Sequence, residues 1–147
     1  MSRHRASVSL RVSLTPSAQR QADALRGKAA RAYEEALVKL EAEGCAAGDY
    51  RLSGDIVDHI CSLQLYGRYR ALVCFPDAES VAIVAVAEHL RDDPDDVYGS
   101  LYELLEIPEP TEKRTKPPCC GEDDQAPIDP ELLDRFRAAA TRLRRRR

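Results

Sequence analysis

The sequence predicts an α+β domain in the order β-α-α-β-β-β with a closing helix. Its antiparallel sheet carries the helices on one face, and a further helix stands at the C-terminus. Three observations predict it. Val8, Leu10, Val12 and Leu14 alternate with polar residues at period 2, the pattern of a half-buried strand. Ser17 to Glu43 is built mostly from Ala, Leu, Arg, Glu, Gln and Lys, all good helix formers. Between Ile56 and Ala87 three apolar segments are separated by two short turns, which implies an antiparallel meander.

Each element has its own signals. After the first strand, Thr15-Pro16 reads as an N-cap followed by a first helical residue. Ala18, Ala22 and Leu25 make one apolar stripe, and Ala29, Tyr33, Leu37 and Leu40 make a second. Gly27 divides the two into a helical hairpin, and Gly44 suits the C-cap. Ile56 to Leu65 is the next strand, Tyr66-Gly67 a turn, Tyr69 to Phe75 a strand, Pro76 to Glu79 a turn, and Val81 to Ala87 the last strand. That last strand is apolar on both faces, which places it inside the sheet beside the first strand. Asp95 to Leu105 closes the domain as a helix, with Val97, Leu101, Leu104 and Leu105 on one side.

The organisation along the chain follows composition. Residues 108–130 hold six prolines with few apolar groups between them, too little to offset the entropy of ordering. The expected division is a compact domain over 1–107, a Pro-rich linker over 108–128 and a basic amphipathic helix over 129–147. In that helix Asp129 is the N-cap, Pro130 the first residue, and Leu132, Leu133, Phe136, Ala139, Ala140 and Leu143 the apolar stripe. An isolated helix of this length is marginal in water. Its stripe is therefore expected to dock on the chain's own domain or on a second copy.

Composition narrows the function. The 147 residues carry 22 Lys/Arg and 25 Asp/Glu, which argues against nucleic-acid binding through bulk charge. Residues 1–107 hold 12 basic and 17 acidic groups, residues 108–147 hold 10 and 8. The longest apolar run, Val81 to Ala87, is far too short to span a membrane. Five cysteines without paired spacing suit reduced thiols and a cytoplasmic location. Cys119-Cys120 lacks the further ligands of a zinc site, so no metal and no cofactor is expected. The acidic run Asp92 to Asp96, broken by Pro94, reads as a solvated loop.

Three short motifs then occur in order: Arg51-Leu52-Ser53-Gly54 before the second strand, Gly67-Arg68-Tyr69-Arg70 opening the third, and His89, Arg91 and Val97-Tyr98 after the fourth. With the element order, they resemble the RelE/ParE superfamily of toxins from type II toxin–antitoxin modules over about Val8 to Leu105. The resemblance implies a growth-inhibiting toxin silenced by a cognate antitoxin. The first form would be a RelE-like, metal-independent endoribonuclease cleaving mRNA at the ribosome. The alternative is a ParE-like gyrase inhibitor or a non-catalytic binder with the same fold. Two features depart from the family pattern: the acidic insertion at Asp92–Asp96, and the acidity of residues 1–107.

The chemistry of RNA cleavage names the candidates. Attack of a 2′-OH on the adjacent phosphate needs a base, a cation beside the phosphate, and a proton donor. Arg70 is the cation candidate, since a guanidinium is permanently charged and grips phosphate at two points. His89 is the base candidate, because an imidazole exchanges protons near neutral pH. Glu88 is its rival and points to the opposite face. Tyr98 is the candidate hydrogen-bond donor to phosphate, with packing by the closing helix as the other reading. Arg51, Arg68 and Arg91 are candidates for tracking the RNA backbone.

Overall fold

A computed structural model describes residues 10–51, 60–77, 79–90, 96–106 and 131–138, of which 45, 46, 50 and 51 are described by backbone alone. Strand β1 (Arg11–Leu14) opens the chain, followed by helices α1 (Pro16–Asp23) and α2 (Gly27–Glu43), and a 3-10 turn at Gly44–Ala47. Strands β2 (Tyr50–Arg51), β3 (Ile60–Gln64), β4 (Tyr69–Asp77) and β5 (Ser80–Glu88) follow, then helix α3 (Val97–Leu105). A last helix, α4, covers 131–138.

The local reasons match the residues present. Thr15 is extended, at φ −67° and ψ 159°, and its Oγ1 accepts from the Ala18 N–H at 3.2 Å. Pro16 then starts α1 without wasting an N–H. Gly27, at φ +58°, makes the sharp break between α1 and α2 that a side-chain-bearing residue would resist. Between β3 and β4, Leu65 N–H donates to Tyr69 O at 2.9 Å, and Gly67 takes φ +60° to close the turn. Between β4 and β5, the Asp77 carboxylate accepts from Glu79 N–H and Ser80 Oγ–H at 2.8 and 2.9 Å.

The strands form one five-stranded sheet in the order β1-β5-β4-β3-β2. The expectation of an antiparallel sheet needs correction: β2 to β5 are antiparallel, but β1 runs parallel to β5, with Val12 opposite Val81 and Leu14 opposite Ile83. The helical hairpin carries the chain from β1 across the sheet, and the three-strand meander returns β5 in the direction of β1. The two-residue edge strand β2 was not expected, and the first strand begins at Arg11 within the described residues. Past the end of β1, the edge of β5 is finished by a side chain: Val86 N–H donates to Gln21 Oε1 at 2.8 Å.

The hairpin lies on one face as expected, but the expectation that the closing helix shares that face is the second correction. Ala71–Phe75 and Val81–Val84 are buried without alternation, so both faces of the sheet need cover. On one face Ala18, Leu25, Ala29 and Leu40 of the hairpin side pack over Cys61, Leu63, Val73, Val81, Ile83 and Val86. On the other, α3 and α4 pack over Ile60, Leu72, Cys74, Ala82 and Val84. A bulge in β5 shifts the pairing, from Val73 opposite Ile83 to Leu72 opposite Ala85. It puts Val84 and Ala85 on the same face, so the residues after it exchange sides: Val86 joins the hairpin core and Ala87 the α3 core.

Leu132, Leu133 and Phe136 of α4 are buried against the chain's own sheet beside α3, and Arg135 Nη2 donates to Leu105 O at 3.1 Å. Fully burying a side chain such as Phe136 contributes about 1.5–3 kcal/mol before ordering costs. The linker at 108–128, Asp129-Pro130, Leu143 and the terminal arginines lie outside the described residues, as do Val8, Leu52-Ser53-Gly54 and Cys119-Cys120. Among the described residues no helix is long and apolar enough to cross a membrane.

Candidate functional site

The start of β4 and the end of β5 lie side by side at one end of the sheet, with Tyr69 opposite Glu88 and Arg70 opposite Ala87. Arg70 shares the α3 face by its alternation with Leu72 and Cys74. The β5 bulge brings His89 to that same face, two residues beyond Ala87. The His89 N–H donates to Arg68 O at 2.7 Å, which ties the exit of β5 to the β3–β4 turn.

His89 is held by Asp96. Its Nδ1 lies 2.6 Å from Asp96 Oδ1, with the His89 side chain 30% exposed and that of Asp96 only 6%. Asp96 is also the N-cap of α3: Oδ2 accepts from Tyr98 N–H at 3.1 Å and Gly99 N–H at 2.8 Å, and Oδ1 from Leu90 N–H at 2.6 Å. Burial works to raise this carboxyl, but the Gly99 N–H, His89 and the Leu90 N–H outweigh it and hold it below its ordinary 3.8. The His89 ring meets the Tyr98 ring edge-on, with centroids 4.9 Å apart and planes at 79°. Tyr98 OH in turn pairs with Ser62 Oγ on β3 at 2.7 Å.

The fold therefore brings Arg70, His89 and Tyr98 to one end of one face, with Arg68 in the turn beside them, in unequal roles. Tyr98 is fully buried, so it forms the floor beneath His89 and does not offer its hydroxyl to solvent. Its packing role, not its phosphate-facing one, is the one the geometry fits. Arg70 rests on its own turn: Nη1 donates to Gly67 O and Tyr69 O at 3.0 Å each, while Nε is buried with no hydrogen-bond partner among the described residues. Arg68 is exposed. Arg51 is described by its backbone alone, and Arg91 lies outside the described residues with Asp92 to Asp95.

Glu88 takes the opposite face. There it lines an open depression of about 300 Å³ with Gln21, Leu25, Tyr69 and Leu90. Asp96 was missed as a site residue because the run Asp92–Asp96 reads as a solvated loop. The usable signal was an Asp directly before Val97-Tyr98-Gly99, the N-cap position of the closing helix. Ser62 carried no signal, since its value depends on a residue 36 positions away.

Other chemistry is sparse. Among the described residues no group of three or more His, Cys, Asp or Glu is placed to hold a metal ion. Cys61 and Cys74 are buried free thiols, and burial pushes Cys74 up to about 12. The chain matches no protein-family model, and no characterised protein shows significant similarity to it.

Proposed function

We propose that the chain is the toxin of a type II toxin–antitoxin pair with the RelE/ParE fold, acting as a metal-independent endoribonuclease on mRNA at the ribosome. The observation that carries this reading is the placement of Arg70, opposite Ala87, and an Asp96-bound His89, two residues on, at one end of one sheet face. The element order supports it: a helical hairpin between β1 and the meander, with β1 beside β5.

In this reading His89 Nε2 takes the proton of a 2′-OH as that oxygen attacks the neighbouring phosphate. Arg70 leaves its turn carbonyls and grips the phosphate oxygens as negative charge builds on them. The 5′-oxygen departs with a proton from solvent, leaving a cyclic phosphate and a free 5′-hydroxyl. Arg68 would hold an adjacent phosphate. The partners are a cognate antitoxin and the mRNA on the ribosome.

A gyrase inhibitor or non-catalytic binder is the second reading. It is favoured by the 17 acidic against 12 basic residues in 1–107 and by the burial of Tyr98. Induction in a bacterial host separates the two. Growth arrest with fragmented mRNA supports the nuclease, and arrest with intact mRNA and altered DNA supercoiling supports the gyrase reading. Normal growth rejects the toxin.

A further inference from the structure

The geometry points to Asp96 as the positioning residue that selects the tautomer of His89 and so makes Nε2 the proton acceptor. This rests on reading His89 as the base of the proposed ribonuclease site.

An ionised carboxylate only accepts hydrogen bonds. Asp96 Oδ1 already receives the Leu90 N–H and still lies 2.6 Å from His89 Nδ1, so Nδ1 carries the proton in the neutral ring. The lone pair is then on Nε2, which has no hydrogen-bond partner among the described residues. The ring plane is set from a second side. Tyr98 meets the imidazole edge-on at 4.9 Å, and Tyr98 is itself held by Ser62 at 2.7 Å. Strand β3, helix α3 and the exit of β5 thus meet at one imidazole.

Capping alone does not require this arrangement. The cap of α3 is supplied by Oδ2, through Tyr98 N–H and Gly99 N–H. A serine at this position would cap as well. The other oxygen is turned to the β5 exit, and a helix cap gains nothing from contact with His89.

Two substitutions separate capping from positioning. Asp96→Ser keeps a capping hydroxyl and removes the partner of Nδ1. Asp96→Asn, with its oxygen retained by the α3 N–H groups, turns an NH₂ toward Nδ1 and gives up the bond from the Leu90 N–H. The ring must then accept at Nδ1 and carry its proton on Nε2, where it no longer serves as a base. An equivalent inversion costs about 10⁴-fold in a serine-protease triad.

The test uses full-length ¹⁵N-labelled protein and two-bond ¹H–¹⁵N correlation of the imidazoles at a pH where they are neutral. His89 is assigned among the three histidines by the loss of its signals in His89→Gln. The wild type should show a single Nδ1–H tautomer. Asp96→Ser should show a mixture shifted to Nε2–H, and Asp96→Asn should show Nε2–H. In an RNA-cleavage assay both should lose about 10²-fold or more in kcat with little change in KM. If either folded variant keeps the Nδ1–H tautomer, the positioning role is wrong. If the tautomer shifts as stated but the wild type does not cleave RNA, the positioning role stands and the ribonuclease reading falls.

Discussion

Ser62 and Tyr98 link β3 to α3 through one hydrogen bond in the interior, and removing both partners together should cost less than the sum of removing each alone. Both residues are 0% exposed, and their oxygens are 2.7 Å apart. Tyr98→Phe keeps the ring against His89 and deletes only the hydroxyl. The Ser62 hydroxyl then stays buried without Tyr98, a loss of about 1–3 kcal/mol. Ser62→Ala should cost about 1 kcal/mol, the net worth of a typical internal hydrogen bond. The double variant removes both desolvated groups together, so its cost should fall below the sum of the singles by about 1–2 kcal/mol. Urea unfolding reads this directly. At a slope of about 2 kcal/mol per M, a loss of about 2 kcal/mol moves the midpoint by about 1 M. Strict additivity of the two single variants would refute a direct bond between these hydroxyls.

Acid should test the Asp96 carboxyl. Its folded value lies below 3.8 while the unfolded value is ordinary, so its stabilisation is present above about pH 4 and is lost as pH falls through the folded value. The gap in urea midpoint between wild type and Asp96→Ser should therefore narrow from about pH 6 to about pH 3, and a constant gap would contradict the assignment. At the site, Arg70→Ala should lower RNA cleavage by about 10²–10³-fold and His89→Ala by about 10²-fold or more. Unchanged toxicity of both at equal expression would remove them from the mechanism. For α4, Phe136→Ala should cost about 3 kcal/mol, or the whole docking energy of the helix if that is smaller. A chain ended at Glu112 with unchanged thermal stability would show that docking contributes nothing.

Local chemistry was enough for the helices and the longer strands of this chain, though not for the two-residue strand β2. Thr15-Pro16, Gly27 and Gly44 mark where the two hairpin helices start and stop, because caps and breaks depend on a few neighbouring atoms. The apolar stripe Leu132, Leu133 and Phe136 is equally local, since helical periodicity alone puts those residues on one side. The unbroken apolar run Val81–Val84 also follows from composition, and it placed this strand inside the sheet beside the first strand. Tertiary structure decided what the cover is: α1 and α2 on one face, α3 and α4 on the other. It decided the parallel pairing of β1 with β5, because strand direction depends on how the whole chain returns to the sheet. It decided the side on which His89 emerges, through a bulge at Val84 that no alternation rule announces. It also turned Asp96 from one acid in a polar run into the group that joins a helix cap, a strand exit and an imidazole. Those three partners come together only when α3 closes on the sheet, so pairing of this kind is written in distance and not in sequence spacing.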